Sequence, residues 1–118
     1  MTSALAVVQR FQQALQSGDK AAALRLLAER FTFRGPFDHF DRPEAYLAAL
    51  DTLQPVIERI HVKKIFDDGN EVCVIYDMVT KTDIGTSTIA EWFQVEDDRI
   101  AAIQAVFDAR PWAHLFAR

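Results

Sequence analysis

The spacing of the apolar residues changes near Pro55, from the period of a helix to that of a strand. Before this proline, apolar residues recur three and four positions apart, which places them on one face of a helix. After it, apolar and polar residues alternate, as they do along a strand with one face against a core. Helices followed by a run of strands are typical of an α+β fold.

Three helices are predicted in the first half of the chain. The first has an apolar stripe from Ala4 to Leu15 and ends before Gly18, a residue that favours the left-handed conformation found at helix C-termini. Asp19 and Asp41 have the short acidic side chain that caps a following helix. They predict a second helix whose stripe continues to residue 27, and a third that ends at the proline.

Five strands are predicted, and the first of them is short. It begins at the Phe-Thr-Phe of residues 31–33 and is interrupted by Gly35 and Pro36. The other four occupy residues 56–66, 72–81, 86–95 and 99–108. The Asp-Asp-Gly-Asn at 67–70 predicts a tight hairpin turn between the first two of these. With 118 residues, near the commonest domain size, the chain is predicted to form one domain, residues 1–118.

Composition and motifs exclude several classes of function. The net charge is −4 and the one basic pair is Lys63-Lys64, so no face is predicted to bind nucleic acid. No apolar run reaches 18 residues and the N-terminus does not resemble a signal peptide, which predicts a cytoplasmic protein without a membrane span. Metal-ligand and nucleotide-binding spacings are absent, so neither a metal nor a cofactor is expected.

Two of the predicted strands are apolar on both faces. Residues 72–79 and 100–107 carry apolar side chains at odd and even positions alike. A soluble antiparallel sheet usually leaves one face polar, and three short helices can cover only one face. The second face is therefore expected to meet another copy of the chain, which predicts a homodimer through the sheet.

Three segments, residues 6–19, 28–37 and 90–111, resemble the nuclear transport factor 2-like superfamily. Within it the chain is most similar to the SnoaL-like group, relatives of polyketide cyclases and ketosteroid isomerases. The resemblance covers nearly the whole chain. It implies a cone-shaped, curved antiparallel sheet packed against three N-terminal helices. It does not specify the activity, because folds of this kind host many chemistries.

The ketosteroid isomerase site is only partly matched. That family uses an Asp base and an oxyanion hole made by a Tyr and a protonated acid. The resemblance places Phe11 where the Tyr would stand and Gly35 where the base would stand, so two of the three groups are missing. Glu91 matches the oxyanion-hole acid. The resemblance therefore argues against the ketosteroid isomerase reaction by that mechanism.

Glu91 is the leading candidate for a catalytic residue. It shares strand parity with Ile89, Phe93 and Val95, so its carboxyl is predicted to face an apolar side. Burial favours the neutral carboxyl, which could then donate a hydrogen bond or act as an acid-base group near neutral pH. The alternative is a structural carboxylate paired with an arginine or facing the dimer contact.

Three other residues are weaker catalytic candidates. Tyr76 shares the parity predicted to line the pocket, where its hydroxyl could contact a substrate oxygen, although it could equally be a core tyrosine. SnoaL-like cyclases have an acid on the last strand, which suggests Asp108, but a turn cap or a pair with Arg110 is the alternative. His39 lies between the first strand and the third helix, where it is either a base or a solvated loop residue.

The predicted pocket is rich in rings, which suits a small, mostly apolar ligand. Its predicted ligand-binding residues are Phe11, Phe33, Arg34, Val74, Met78, Phe93, Phe107 and Trp112. The ligand expected from the resemblance is a small hydrophobic carbonyl compound. If the protein is an enzyme, the resemblance implies cofactor-independent acid-base chemistry of the isomerase, cyclase or dehydratase type. A non-catalytic binding or dimeric structural module and an epoxide hydrolase stay open as alternatives.

Overall fold

A computed structural model describes residues 2–116 of the chain and the side chains of residues 2–114. Within these described residues, four helices and six strands follow one another. In order they are α1 (Ala4–Ser17), α2 (Lys20–Arg25), β1 (Leu27–Arg34), β2 (His39–Phe40), α3 (Pro43–Leu53), β3 (Ile57–Asp68), β4 (Glu71–Thr80), β5 (Thr86–Glu96), β6 (Arg99–Val106) and α4 (Ala113–Phe116). The predicted α+β class is confirmed, with a curved, unclosed sheet of six strands.

The ends of the first two helices follow from local side chains. Gly18 ends α1 with a φ of 75°, as the sequence predicts. Asp19 caps α2 by accepting a hydrogen bond of 3.0 Å from the backbone N–H of Ala22. The predicted Asp41 cap of α3 is wrong, because that helix begins at Pro43 and has no side-chain cap. A proline at the first helical position has no N–H to satisfy, which reduces the need for a cap.

The second helix is shorter and the first strand is longer than the sequence predicts. The predicted helical stripe continues to residue 27, whereas α2 ends at Arg25 and β1 already begins at Leu27. Leu27 is buried and pairs with Ile100 of β6, whose backbone N–H donates a hydrogen bond of 2.8 Å to the carbonyl of Leu26. Pairing with a strand that lies more than 70 residues away therefore overrides the local helical pattern.

The six strands lie in the order β2-β1-β6-β5-β4-β3. Four of the five pairings are antiparallel, but β1 runs parallel to β6. The prediction of an antiparallel sheet is therefore wrong for this one pair. Parallel strands require a long connection between them. Here β2, α3 and the three strands β3 to β5 separate β1 from β6 in the chain.

One face of the sheet, called here the helix face, packs against the helices. The helix α1 lies against β4, β5 and β6, and α3 lies against β1 and β2. The largest fully buried side chains are Phe11, Phe31, Phe93, Ile100 and Ile103. Alternate residues of β4, from Val72 to Met78, point to this face and are buried. The core therefore fills the space between α1, α3 and the sheet.

The opposite face, called here the outer face, carries large apolar side chains that are exposed. Phe66, Trp92 and Val106 are 51%, 41% and 59% exposed. Phe66 and Trp92 flank Cys73 in one cross-strand row, because each pairs directly with it. No helix of the described residues is long and apolar enough to cross a membrane.

Candidate active site

Three polar side chains come together in the core beneath the helices: Glu91 of β5, Tyr76 of β4 and Tyr46 of α3. Glu91 lies on the helix face between Val74 and Ala105, its direct neighbours on β4 and β6. Both neighbours are buried. Tyr76 is the next residue on the same face of β4, as alternate residues of a strand share a face. The sequence alternation thus places a carboxyl where apolar side chains surround it.

Burial raises the pKa of Glu91 to about 7, and a hydrogen bond with the Tyr76 hydroxyl opposes this shift in part. Part of the residue's surface stays accessible. Among the described residues, no ion pair connects Glu91 to a Lys, Arg or His. The structural alternative, a carboxylate paired with a buried arginine, therefore has no support within residues 2–114. With a pKa near 7, the carboxyl is partly protonated at neutral pH.

The two tyrosines share the buried environment of Glu91, and the pKa values of both are raised. Burial raises the pKa of Tyr76 well above its usual range, and the charge of Glu91 and the hydrogen bond to it add to the effect. Burial and the charge of Glu91 also raise the pKa of Tyr46. Both phenols are therefore neutral at physiological pH. A neutral phenol can donate a hydrogen bond to an oxygen atom of a ligand.

Tyr46 is a site residue that the sequence analysis did not identify. Its ring stacks on Phe33, with centroids 4.8 Å apart, and lies 5.2 Å from the ring of Phe31. The side chain is 3% exposed. Helical spacing places it on the apolar stripe of α3, where it resembles a core residue. The sequence feature that could have identified Tyr46 is the presence of a phenol among the leucines of that stripe.

Two of the predicted catalytic residues lie away from this cluster. The Asp108 carboxylate is 54% exposed and accepts hydrogen bonds of 2.9 and 2.7 Å from the Arg110 side chain. These bonds lower the pKa of Asp108 to about 2. His39 is exposed and pairs with Arg34 in the short β1–β2 ladder. Arg34 also pairs with Gln104, which shares the outer face with Trp92.

The predicted ligand-binding residues fall into four groups. Phe11, Val74 and Phe93 are fully buried on the helix face, where they form part of the core. Phe33 and Phe107 are partly exposed. Met78 and Trp112 are each 6% exposed, and the Trp112 indole donates a hydrogen bond of 2.9 Å to Ser87 Oγ. Arg34, on the outer face, is the one member that lies on the other side of the sheet from Glu91.

Asp38 is a second carboxyl whose pKa is raised by burial, although it is only partly buried. It lies in the turn between β1 and β2, and its carbonyl accepts a hydrogen bond of 2.8 Å from the N–H of Gly35. The neighbouring Phe37 ring packs edge-on against Phe107, which follows β6. The sequence places this residue in a loop, and nothing in that pattern distinguishes it from a solvated turn aspartate.

Two surface clefts lie on the helices rather than beside Glu91. One, of about 220 Å³, is lined by the end of α1, the start of α2 and part of α3. The other, of about 380 Å³, runs between α1 and α2. Neither is lined by Glu91, Tyr76 or Tyr46.

No three His, Cys, Asp or Glu side chains in the described part of the chain are close enough together to hold a metal ion. The polar cluster itself contributes three titratable groups. They are one carboxyl that exchanges its proton near neutral pH and two neutral phenols.

A family model described as a SnoaL-like domain matches residues 8–103. The chain belongs to the SnoaL-like domain family. The match runs from α1 to β6 and so includes all three polar groups of the site. The predicted resemblance is confirmed. Comparison with curated proteins found no match to the sequence.

Solved structures with the same fold include proteins of different activities. An NTF2-like protein of unknown function from Cytophaga hutchinsonii is 29% identical, with 96% of each chain covered and a TM-score of 0.81. An LEH-like epoxide hydrolase from M. tuberculosis is 19% identical, with 94% of this chain and 86% of that one covered and a TM-score of 0.74. A candidate ketosteroid isomerase from Kribbella flavida is 15% identical, with coverages of 87% and 76% and a TM-score of 0.74.

The solved structures that share this fold therefore include an epoxide hydrolase and a candidate ketosteroid isomerase. At identities below 25%, the epoxide hydrolase and the candidate isomerase show a shared fold and nothing more specific. The activity of this chain has to be argued from its own side chains.

Proposed function

We propose that this SnoaL-like protein binds a small, neutral, mostly apolar carbonyl compound and uses Glu91 to transfer a proton. The observation that carries the proposal is a buried carboxyl with a pKa of about 7 beside two neutral tyrosines. General acid-base catalysis is most effective when the pKa of the catalytic group lies near the working pH. Burial of a charged substrate here would leave its charge without a partner, which favours a neutral ligand.

The chemistry that fits these groups is enolisation. The Glu91 carboxylate would remove a proton from the carbon next to the carbonyl. The electron pair of that C–H bond would form a C=C bond to the carbonyl carbon, and the π pair of the carbonyl would move to its oxygen. A tyrosine hydroxyl would donate a hydrogen bond to the resulting enolate oxygen, where the negative charge develops. The protonated Glu91 would then return the proton to the same carbon or to another one. The second outcome is an isomerisation.

Exchange of ketone protons with solvent tests this proposal without knowledge of the natural substrate. In D₂O, the protein is expected to accelerate deuterium uptake next to the carbonyl of 2-tetralone, as followed by NMR. Glu91→Gln is expected to slow the catalysed rate by about 100-fold or more, because general-base catalysis contributes on that order. Asp108→Asn is the matched control, since this carboxylate is exposed and paired with Arg110, and it is expected to retain the full rate.

Two results would contradict the proposal. One is that the wild-type protein binds a panel of ketones but does not accelerate the exchange of their protons with solvent. The other is a Glu91→Gln variant as active as the wild type. The first result would favour a non-catalytic binding module, the second candidate function. That candidate is favoured because, within residues 2–114, no second carboxyl and no histidine influences the pKa of Glu91.

The positions of Arg34 and Arg110 do not support an epoxide hydrolase that activates water with an Asp-Arg-Asp arrangement. Arg110 is fully engaged with the exposed Asp108 at the surface. Arg34 lies on the outer face, opposite the helices. Neither arginine appears among the groups that influence the pKa of Glu91.

We also propose that the protein forms a homodimer through the outer face. The support is the apolar surface that Phe66, Trp92 and Val106 expose on this side. Trp92 is held in one orientation, because its indole donates a hydrogen bond of 2.8 Å to Glu71 of the neighbouring strand. A large, pre-oriented aromatic side chain is typical of the residues that dominate interfaces. A second copy presents the same surface, so the contact would be symmetric.

Replacing Trp92 by glutamate is expected to weaken this dimer by at least 30-fold, since central interface tryptophans contribute about 2 kcal/mol or more. Sedimentation velocity at micromolar concentrations would show a dimer for the wild type and a monomer for the variant. Leu24→Glu, which replaces an exposed leucine of α2, is the matched control and is expected to stay dimeric. A wild-type monomer at 100 μM would overturn the proposal.

A further inference from the structure

The segment that follows β6, residues 107–112, folds back over one end of the helix face. It leaves the sheet after Val106, and a short 3₁₀ turn then brings Trp112 to β5. There the Trp112 indole donates a hydrogen bond of 2.9 Å to Ser87 Oγ. Ser87 lies on the helix face, because it is an even number of residues from Glu91 on the same strand. Residues 107–112, called here the closing segment, therefore cover part of the face that carries the polar cluster.

The contact between Trp112 and Ser87 lies close to the polar cluster. Side chains of β4 and β5 that pair directly form rows across the helix face, and consecutive rows on one face are about 7 Å apart. The three rows, starting at the indole, are Ser87 with Met78, Ile89 with Tyr76, and Glu91 with Val74. The second row thus contains Tyr76, whose hydroxyl forms a hydrogen bond with Glu91. A ligand that takes the place of the indole on Ser87 is one row from that hydroxyl.

The two phenols of the cluster are too deeply buried for a ligand to reach them in this conformation. Tyr76 is 8% exposed and Tyr46 is 3% exposed. The two clefts on the helices are lined by neither. A ketone can therefore contact these hydroxyls only when an element that covers them moves. The helices α1 and α3 are poor candidates for this movement, because both bury large side chains in the core and exposing them would be costly.

The closing segment has few attachments to the rest of the fold. Among the described elements, its 3₁₀ turn makes extensive contact only with α4, which follows it directly. The hydrogen bonds from Arg110 to Asp108 and from the Trp112 backbone N–H to the Ala109 carbonyl stay within the segment. Only the indole bond to Ser87 joins residues 108–112 to the sheet. A region with so few outside contacts opens at a lower free energy than the core does.

We infer that the closing segment opens and closes as one unit, without unfolding of the sheet, and that its opening is the route by which the ligand reaches Tyr76. The inference rests on the proposed function. The segment keeps its internal hydrogen bonds when it moves, so opening exposes one indole to water and breaks its bond to Ser87. Closure over a bound ligand would exclude water from Glu91, which is what mobile lids do at many active sites.

Hydrogen exchange of the Trp112 indole N–H in D₂O measures the opening in the wild-type protein without ligand. Opening of the segment alone predicts a protection factor about 100-fold or more below those of the β4 amides, whose exchange requires unfolding of the sheet. It also predicts that low urea concentrations leave the indole exchange unchanged, because little surface becomes exposed. The β4 amides are the internal control, since β4 has a strand on each side. Equal protection and equal urea dependence of the indole and these amides would overturn the inference.

Removal of the Ser87 hydroxyl tests whether the ligand passes through the opening. The probe is 6-fluoro-2-tetralone, whose association and dissociation rates are measured by fluorine NMR. Ser87→Ala removes the acceptor of the indole bond and is expected to raise both rates about fivefold, as the loss of one hydrogen bond predicts. The dissociation constant is expected to stay within about twofold of the wild-type value, because the closed form is weakened equally with and without ligand. Thr88→Val is the matched control, since its hydroxyl binds Asp77 on the outer face, and it should change neither rate.

The outcomes separate the opening from the proposed function. If the wild type binds the ketone and accelerates its deuterium uptake while the Trp112 indole exchanges only with the β4 amides, the opening is wrong and the function stands. Unchanged rates in Ser87→Ala would show that the ligand enters elsewhere, which also overturns the inference. If the wild type binds no ketone at millimolar concentrations, the proposed ligand class and the ligand route are both overturned, even where the indole opens.

Discussion

Replacing Glu91 by glutamine is expected to stabilise the folded protein at pH 8, by up to about 3 kcal/mol. Each unit of pKa shift corresponds to about 1.4 kcal/mol of differential stabilisation. The pKa of Glu91 rises from 4.5 to about 7 on folding, because burial disfavours its charged form. Part of the residue is accessible, so the full value is an upper bound. Glutamine has nearly the same shape and no charge, and it avoids this cost.

The effect depends on pH in a defined direction. Below pH 4.5 the carboxyl is protonated in both states, and it contributes no pH-dependent cost. Between pH 4.5 and about 7 the folded state binds the proton more tightly than the unfolded state, so the stability of the wild type falls as pH rises. Above about pH 7 the whole cost is present. The advantage of Glu91→Gln is therefore expected to grow from near zero at pH 4.5 to its maximum at pH 8.

Urea unfolding of both proteins between pH 4.5 and 8 measures this difference. Asp108→Asn is again the matched control, and the opposite sign is expected, since a lowered carboxyl pKa stabilises the folded state above the unfolded-state pKa. A difference between Glu91→Gln and the wild type that stays constant over the whole pH range would show that the Glu91 carboxyl is not desolvated. This test needs no ligand, so it examines the site independently of the proposed reaction.

Replacing Phe11 by alanine is expected to destabilise the protein by about 3–5 kcal/mol, the usual cost of removing a buried aromatic ring. Phe11 is 1% exposed and lies on the face of α1 that packs against the sheet. Alanine has a higher helix propensity than phenylalanine, so the loss comes from packing and not from the helix itself. The cavity left behind would lie between α1 and the strands β4 to β6.

Urea unfolding at pH 6 measures the loss, with Leu24→Ala as the control. Leu24 is 37% exposed on α2, and its replacement is expected to cost less than about 1 kcal/mol. A cost below about 1 kcal/mol for Phe11→Ala would show that the helix does not pack on the sheet as described. The resemblance to ketosteroid isomerases places a tyrosine at position 11. In this chain the position is part of the apolar core, and the phenol groups whose pKa values respond to Glu91 belong to Tyr76 and Tyr46.

The parts of the fold that could be predicted are those governed by local sequence. Gly18 and Asp19 mark the junction of the first two helices, because their preferences act within one turn of the chain. The alternation in residues 86–95 correctly places Glu91 on the side of Phe93. The start of β1 and its parallel pairing with β6 could not be predicted, because they depend on contacts between distant segments.

The candidate site could also be predicted only in part. Glu91 and Tyr76 were predicted to face a pocket because a strand has a period of two, so parity shows which residues of one strand share a face. Tyr46 was missed because the sequence shows which face of α3 is apolar but does not show which strand that face packs against. Asp108 and His39 were plausible from their positions in the chain. Only the folded chain places Asp108 with Arg110 and His39 at an exposed edge.

The sequence by itself determined the α+β class, the positions of most helices and strands, and the side of the sheet on which Glu91 lies. These follow from periodicity and capping, which act over a few residues. The tertiary structure decided that Tyr46 lies near enough to Glu91 and Tyr76 for their charges to interact, that β3 extends beyond the helices, and that its residues Ile60 and Val62 are exposed. The pKa of Glu91 also belongs to the tertiary structure, because desolvation depends on every element packed around the carboxyl.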